Sequence, residues 1–234
     1  MTPEEICDHL RLGEIEVVGR ISASSNQALL VSVHHNGASL EACFKTELGE
    51  RPLWDFPDGL WRREIAAYEL SEVMGLGLVP ETVERAESEF GPGSLQRWIT
   101  ATDDHYFTLR DNPTLESWFC ELASWDFIAN NTDRKSGHVL FDATRPWAID
   151  QGLCFAEEDK LRTVIWDYAG TPLLPSVTEG IERLVRSGGE TLQPWLSSEE
   201  VAATLERAEW LSAQGELPFP DEEAEWPPYP WPLI

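Results

Sequence analysis

Residues 125–155 read WDFIANNTDRKSGHVLFDATRPWAIDQGLCF. The stretch holds two short apolar runs, Val139-Leu140-Phe141 and Trp147-Ala148-Ile149. Asp133 lies before the first run, and Asp150 follows the second directly. If the runs pair as a hairpin, both carboxylates come to the same end of it. Two carboxylates converging on a cleft suit a magnesium–phosphate site. Magnesium takes oxygen ligands and usually shares them between one or two carboxylates and substrate phosphates.

A chain of 234 residues can bury a real core, as one domain or two small lobes. With 42 acidic and 17 basic residues, its formal charge is -25. That balance argues against nucleic acid as a partner, because phosphates are met by Lys and Arg. It also argues against broad binding to an anionic membrane face. No apolar run is long enough to span a bilayer, so no stable membrane association is expected. The first residues, MTPEEICDHL, lack the basic and apolar regions of a signal peptide. Cys7, Cys43, Cys120 and Cys154 are scattered without metal-type pairs. They are expected as free thiols, which points to a cytoplasmic location.

The N-terminal half reads as strand-rich. Residues 3–12 predict a short acidic helix, capped by Thr2 and started by Pro3. Three strand-like segments follow, IEVVGRI, QALLVSV and LEACFK, with a turn at His34 to Gly37. Gly19 to Gln27, between the first two, is small and polar, so its backbone N–H groups can approach phosphates closely; an ordinary hairpin loop is the alternative. Lys45 ends the third strand. Asp58 is expected to cap a helix running from Leu60 to Gly75. LVPETVERA and FGPGSLQRWI read as further strands. Residues 113–130 predict a buried helix, and two more helices are expected at about 175–187 and 198–213. The tail from 216 is rich in Pro and Trp and reads as irregular. Strands first and helices later indicate an α+β fold.

Two motifs in order and spacing carry a resemblance to a known family. The chain reads D-F-I-A-N-N-T-D-R-K-S-G-H from Asp126 to His138, and I-D-Q-G-L-C-F from Ile149 to Phe155. This resembles the catalytic loop D-x-x-x-x-N-T-D-R-x-x-x-N and metal-binding turn I-D-N-G-L-x-F of the phosphatidylinositol 3-/4-kinase-like superfamily. The type II phosphatidylinositol 4-kinases and the bacterial HipA-type kinases are its nearest branches. One departure stands out: His138 occupies the position of a metal-binding Asn.

The resemblance covers about residues 15–170 and implies a bilobal protein-kinase-like fold. A small antiparallel-sheet lobe would span 1–100, a mainly helical lobe 101–215, and the tail 216–234. It also implies a set of site residues. Ser24, Ser25 and Asn26 would sit in the phosphate loop. Lys45 would contact the phosphates of ATP, with Glu64 of the following helix holding it and Glu69 as the second choice for that role; the alternative for Glu64 is a surface pair with a neighbouring Arg. Gln96, Arg97 and Trp98 would line the base pocket, or form a plain buried edge strand. Asp133 would accept the hydroxyl proton or orient the nucleophile, and Arg134 would hold Asp133 or a phosphate oxygen. Lys135 would reach the transferring phosphate or face solvent. Asp150 would bind Mg2+. At His138, imidazole nitrogen suits Mn2+ better than Mg2+, so the residue would ligate metal, contact phosphate, or mark a lost second metal site. The implied activity is transfer of the ATP γ-phosphate to a hydroxyl on a protein or small-molecule acceptor, less favourably a lipid. A nucleotide-holding pseudokinase and AMP transfer on the same fold are the competing readings.

Overall fold

The structure is a computed structural model that describes residues 1–21, 27–221, 223 and 227–234. The chain begins with α1 (Pro3–Leu12), whose Thr2 and Glu5 form a reciprocal capping box. Strands β1 (Glu14–Arg20), β2 (Leu29–His35) and β3 (Ala38–Thr46) follow. Asn36 and Gly37 join β2 to β3 with φ of 50° and 77°, the left-handed pair that a tight hairpin turn demands. After α2 (Leu60–Val73) come β4 (Thr82–Arg85) and β5 (Gly93–Arg97).

These strands form one antiparallel sheet in the order β1-β2-β3-β5-β4. Its register decides what faces the site. Val31 pairs with Ala42, and Phe44 with Leu95; these four are buried on one face, within the same core as Leu10 of α1 and Leu70 of α2. Strand alternation therefore turns Cys43 and Lys45 to the other face, where Gln96 lies opposite Cys43. Gly93 is required beside Lys45, because a Cβ there would lie 2.3 Å from the Lys45 carbonyl oxygen.

The rest of the chain is mainly helical. A short helix, α3 (Tyr106–Leu109), precedes α4 (Glu116–Ile128), which carries the fully buried Trp125. The hairpin expected from the sequence forms from β6 (Val139–Phe141) and β7 (Pro146–Ala148), with Val139 opposite Ala148. Helices α5 (Pro175–Ser187) and α6 (Ser198–Gln214) complete the order. The tail packs against the body: Pro228 O accepts from Thr163 N and Trp166 Nε1, and Leu233 O accepts from Ser136 N.

One local expectation is corrected. Asp58 does not cap α2. Gly59 holds the N-cap position with no side-chain cap, and the Glu50 carboxylate accepts from Gly59 N at 3.0 Å and Trp61 N at 2.6 Å. A carboxylate from an earlier loop satisfies the free N–H groups and favours the positive end of the helix dipole.

Candidate active site

Three elements meet at Lys45. β3 delivers the lysine, α2 delivers Glu64, and the turn after β7 delivers Asp150. Lys45 Nζ donates to Glu64 Oε1 and, at 2.8 Å, to Asp150 Oδ1. Glu64 is 2% exposed, and its second oxygen accepts from Gln151 N at 3.1 Å. The turn itself is unusual: Asp150 has φ of 60°, a left-handed conformation that Asp tolerates better than most residues.

The loop after α4 approaches from the other side. Asp133 Oδ2 accepts from Lys135 Nζ at 2.8 Å, and Asp133 N donates to Asn131 Oδ1 at 3.0 Å. Asp133 and Asp150 both line one cavity of about 260 Å³, together with Lys45, Glu64, Gln27 and Gly152. His138 Nε2 lies 3.4 Å from Asp150 Oδ2.

Beneath this rim lies a buried polar network. Arg134 is fully buried, and its Nε and Nη2 donate to Asp126 of α4 at 2.9–3.1 Å. Its Nη2 also donates to Gln151 Oε1 at 2.8 Å, and its Nη1 to Ile149 O at 3.0 Å. Asn131 Nδ2 donates to Asp126 Oδ1 at 3.0 Å. The network thus ties α4, the loop and the Asp150 turn into one unit. Within it, Gln151 Nε2 has no hydrogen-bond partner among the described residues.

The electrostatics follow from these contacts. Lys45 beside Asp150 holds that carboxyl well below the usual range, overcoming the effect of burial. Burial alone would lower the Lys45 ammonium, but Asp150 and Glu64 outweigh it and hold it above its ordinary value. Burial lifts the Asp133 carboxyl, against the pull of Lys135. Burial also lowers His138 to about 4, with Arg134, Lys135 and Lys45 adding to the effect and Asp150 opposing it.

The donor set fits a hard divalent cation. Asp150 keeps half of its side chain exposed and faces the same cavity as Asp133. Among the described residues, no group of three or more His, Cys, Asp or Glu forms a metal cluster. Few protein oxygens, with substrate phosphates completing the shell, is the arrangement magnesium favours. His138 fits that shell less well. Its Nδ1 faces Lys135 N–H at 3.5 Å and its Nε2 faces Asp150 Oδ2 at 3.4 Å, so ligation through either nitrogen would displace one of these neighbours.

The structure brings Lys45, Glu64, Asp133, Lys135, His138 and Asp150 together. It does not bring Arg134 to the cleft; the guanidinium holds Asp126 instead of Asp133 or a phosphate, because it is sealed inside the fold. Gln96 shares the Lys45 face of the sheet and donates to Thr82 Oγ1 at 2.9 Å. Arg97 is committed to Glu81 and lies over the Trp147 ring at 4.5 Å, while Trp98 is exposed. Ser24, Ser25 and Asn26 lie outside the described residues. Sequence reasoning assigned no role to Asp126, Asn131, Gln151 or Glu50. The first two were fixed letters of the catalytic-loop motif, and that was the available signal. Glu50 gave none.

Protein Rv2133c of Mycobacterium tuberculosis is 32% identical, over 95% of this chain and 93% of its own length. The chain belongs to the family of that protein. No family model matches the sequence. Among solved structures, the Golgi casein kinase aligns with 93% of this chain and 79% of its own, at a TM-score of 0.55 and 12% identity. A structure of the same kinase with Mn/ADP bound gives 0.51 at 12% identity, over 95% of this chain and 80% of its own. The Helicobacter pylori proinflammatory kinase CtkA gives 0.54 at 10% identity, over 88% of this chain and 94% of its own. Hydra Fam20 gives 0.56 at 11%, over 90% and 87%. The fold is therefore kinase-like, α+β with an antiparallel sheet and a mainly helical remainder.

Proposed function

We propose that this protein is an ATP-dependent phosphotransferase that moves the γ-phosphate of ATP to a hydroxyl on a protein or small-molecule acceptor. The carrying observation is that Lys45, bonded to both Glu64 and Asp150, shares one cavity with Asp133. Phosphoryl transfer needs phosphates held, charge neutralised and a nucleophile oriented. Lys45 supplies the phosphate contact, with Glu64 fixing its position. Asp133 takes the acceptor proton, and its lifted carboxyl moves toward the range where a general base is effective. Lys135 lies beside Asp133 to meet negative charge on the transferring group. Asp150, with His138 orienting it, would hold Mg2+ or Mn2+, which neutralises charge on the nucleotide phosphates when bound.

The two motifs support membership of the phosphatidylinositol 3-/4-kinase-like superfamily, near its type II lipid kinase and HipA-type branches. The Mn/ADP-bound relative of the fold supports a nucleotide and a divalent cation. Gln96, on the face of Lys45, supports a base pocket at the end of β5. A division into two lobes near residue 100, with the nucleotide between them, belongs to the same reading. The cytoplasm is the proposed compartment, supported by four free cysteines.

The test is intact-mass analysis after incubation with ATP and either Mg2+ or Mn2+, with ADP release followed in parallel and a panel of hydroxyl acceptors present. Gain of a phosphate on protein or acceptor, with ADP released, is the expected result. Gain of an AMP unit would replace this proposal with AMP transfer. No change under either metal across the panel would leave a nucleotide-holding scaffold in its place.

A further inference from the structure

Arg63 precedes Glu64 on α2 and is only 3% exposed. Its Nη1 donates to Cys154 O at 2.6 Å, and its Nη2 to Glu200 Oε1. Its guanidinium also lies over the Phe56 ring at 5.1 Å. Glu200 is part of the capping box of α6, where its other oxygen accepts from Ser197 N at 2.9 Å. Two consecutive residues of α2 therefore grip the turn that carries Asp150: Glu64 holds Gln151 N, and Arg63 holds Cys154 O. Arg63 further anchors the helix to α6, far along the chain. Moving α2 away from the turn would leave the buried Arg63 guanidinium without these partners and strip Glu200 of its ion pair, which is strongly disfavoured.

We propose that Arg63 is a positioning residue that latches α2 to the Asp150 turn and to α6, so that the Lys45–Glu64–Asp150 cluster is assembled before any ligand arrives. Its catalytic consequence rests on the phosphotransfer reading; the latch itself does not. No separate event is then required to bring Glu64 to Lys45.

Amide exchange resolved by residue tests the latch in the full chain. The Gln151 N–H is held by Glu64, so its exchange reports opening of α2. In Arg63→Met, which keeps an apolar stem against Phe56, Gln151 exchange should rise at least about tenfold while α5 amides keep their rates. Turnover with ATP should fall about 10- to 100-fold, since misplacing a catalytic group by an ångström has that effect. Glu200→Gln should move both readouts in the same direction by less. Local opening in a protein that transfers no phosphate would support the latch and remove the proposed function. Unchanged Gln151 exchange in Arg63→Met would overturn the latch. So would a uniform rise at all amides in both variants, which would make the pair a general support of the fold.

Discussion

Arg134 and Lys135 are neighbours in the chain and sit in opposite surroundings. Arg134 is sealed inside the protein, with six hydrogen bonds to Asp126, Gln151, Ile149 O and His138 O. Lys135 stands at the rim and makes one ion pair, to Asp133, with a fifth of its side chain exposed. The same division runs through the whole segment. Asp126, Asn131, Arg134 and Gln151 form a buried frame, whereas Asp133 and Asp150 line a cavity, with Lys135 beside the first and His138 beside the second as the rest of the rim. The frame fixes backbone positions, and the rim is left with side chains able to exchange one partner for another. A segment so built separates buried support from partly exposed charge residue by residue, and substitutions can test that separation.

The largest effect belongs to the frame. Arg134→Met should destabilise the fold by about 3–5 kcal/mol, because Asp126 is left as an unpaired buried carboxylate. A urea titration would show the midpoint fall. A midpoint close to that of the wild type would mean that the frame and the rim do not differ in this way.

Asp133→Asn should do the reverse. Stability should change by less than about 1 kcal/mol, as for a partly exposed pair, while phosphotransfer falls about 10²- to 10⁴-fold, the usual contribution of a positioned base. Parallel measurement of the urea midpoint and of ADP release separates the two effects. Loss of both together would place Asp133 in the frame.

His138 lies between the two regions and should show itself through pH. Its folded pKa, about 4, is below the ordinary value of 6.5. As pH falls from 6.5 toward 4, the unfolded chain takes up a proton that the folded protein refuses. Stability therefore declines across that window, by up to about 3 kcal/mol. In metal-free protein, His138→Gln should flatten the decline. An unaltered slope would show that another group carries it.

The smallest effect belongs to Glu50, which lines the same cavity but whose carboxylate is taken up by the start of α2. Glu50→Ala removes the acceptor at the start of α2 and should cost about 1 kcal/mol, as loss of a helix cap does. A thermal melt lowered by a few degrees, with the site still functional, is the expected result.

Much of the rim was legible in the sequence. Asp133 and Asp150 stood out through the two motifs, their order and their spacing, and Lys45 through its place in the same pattern; on local grounds alone each reads as a turn or strand-end residue. The sheet, the hairpin and the long helices followed from alternation and capping, which are local signals. The frame was not legible in the same way. Arg134 looks like any charged loop residue until α4 brings Asp126 beneath it, and burial of that kind arises only from packing distant segments. Asp58 was the local choice for a cap, yet Glu50 from nine residues before Gly59 takes the role. The latch of Arg63 to Glu200 spans 137 positions, beyond the reach of any local pattern.

On the proposed function, the cluster around Asp150 binds a nucleotide through a divalent cation. Calorimetric titration of ATP into the wild-type protein and Asp150→Ala, each with and without Mg2+ or Mn2+, tests it most directly. The account predicts binding by the wild type that strengthens with the metal, and loss of that metal dependence in Asp150→Ala. Equal binding by both proteins, with the same response to metal, would contradict it.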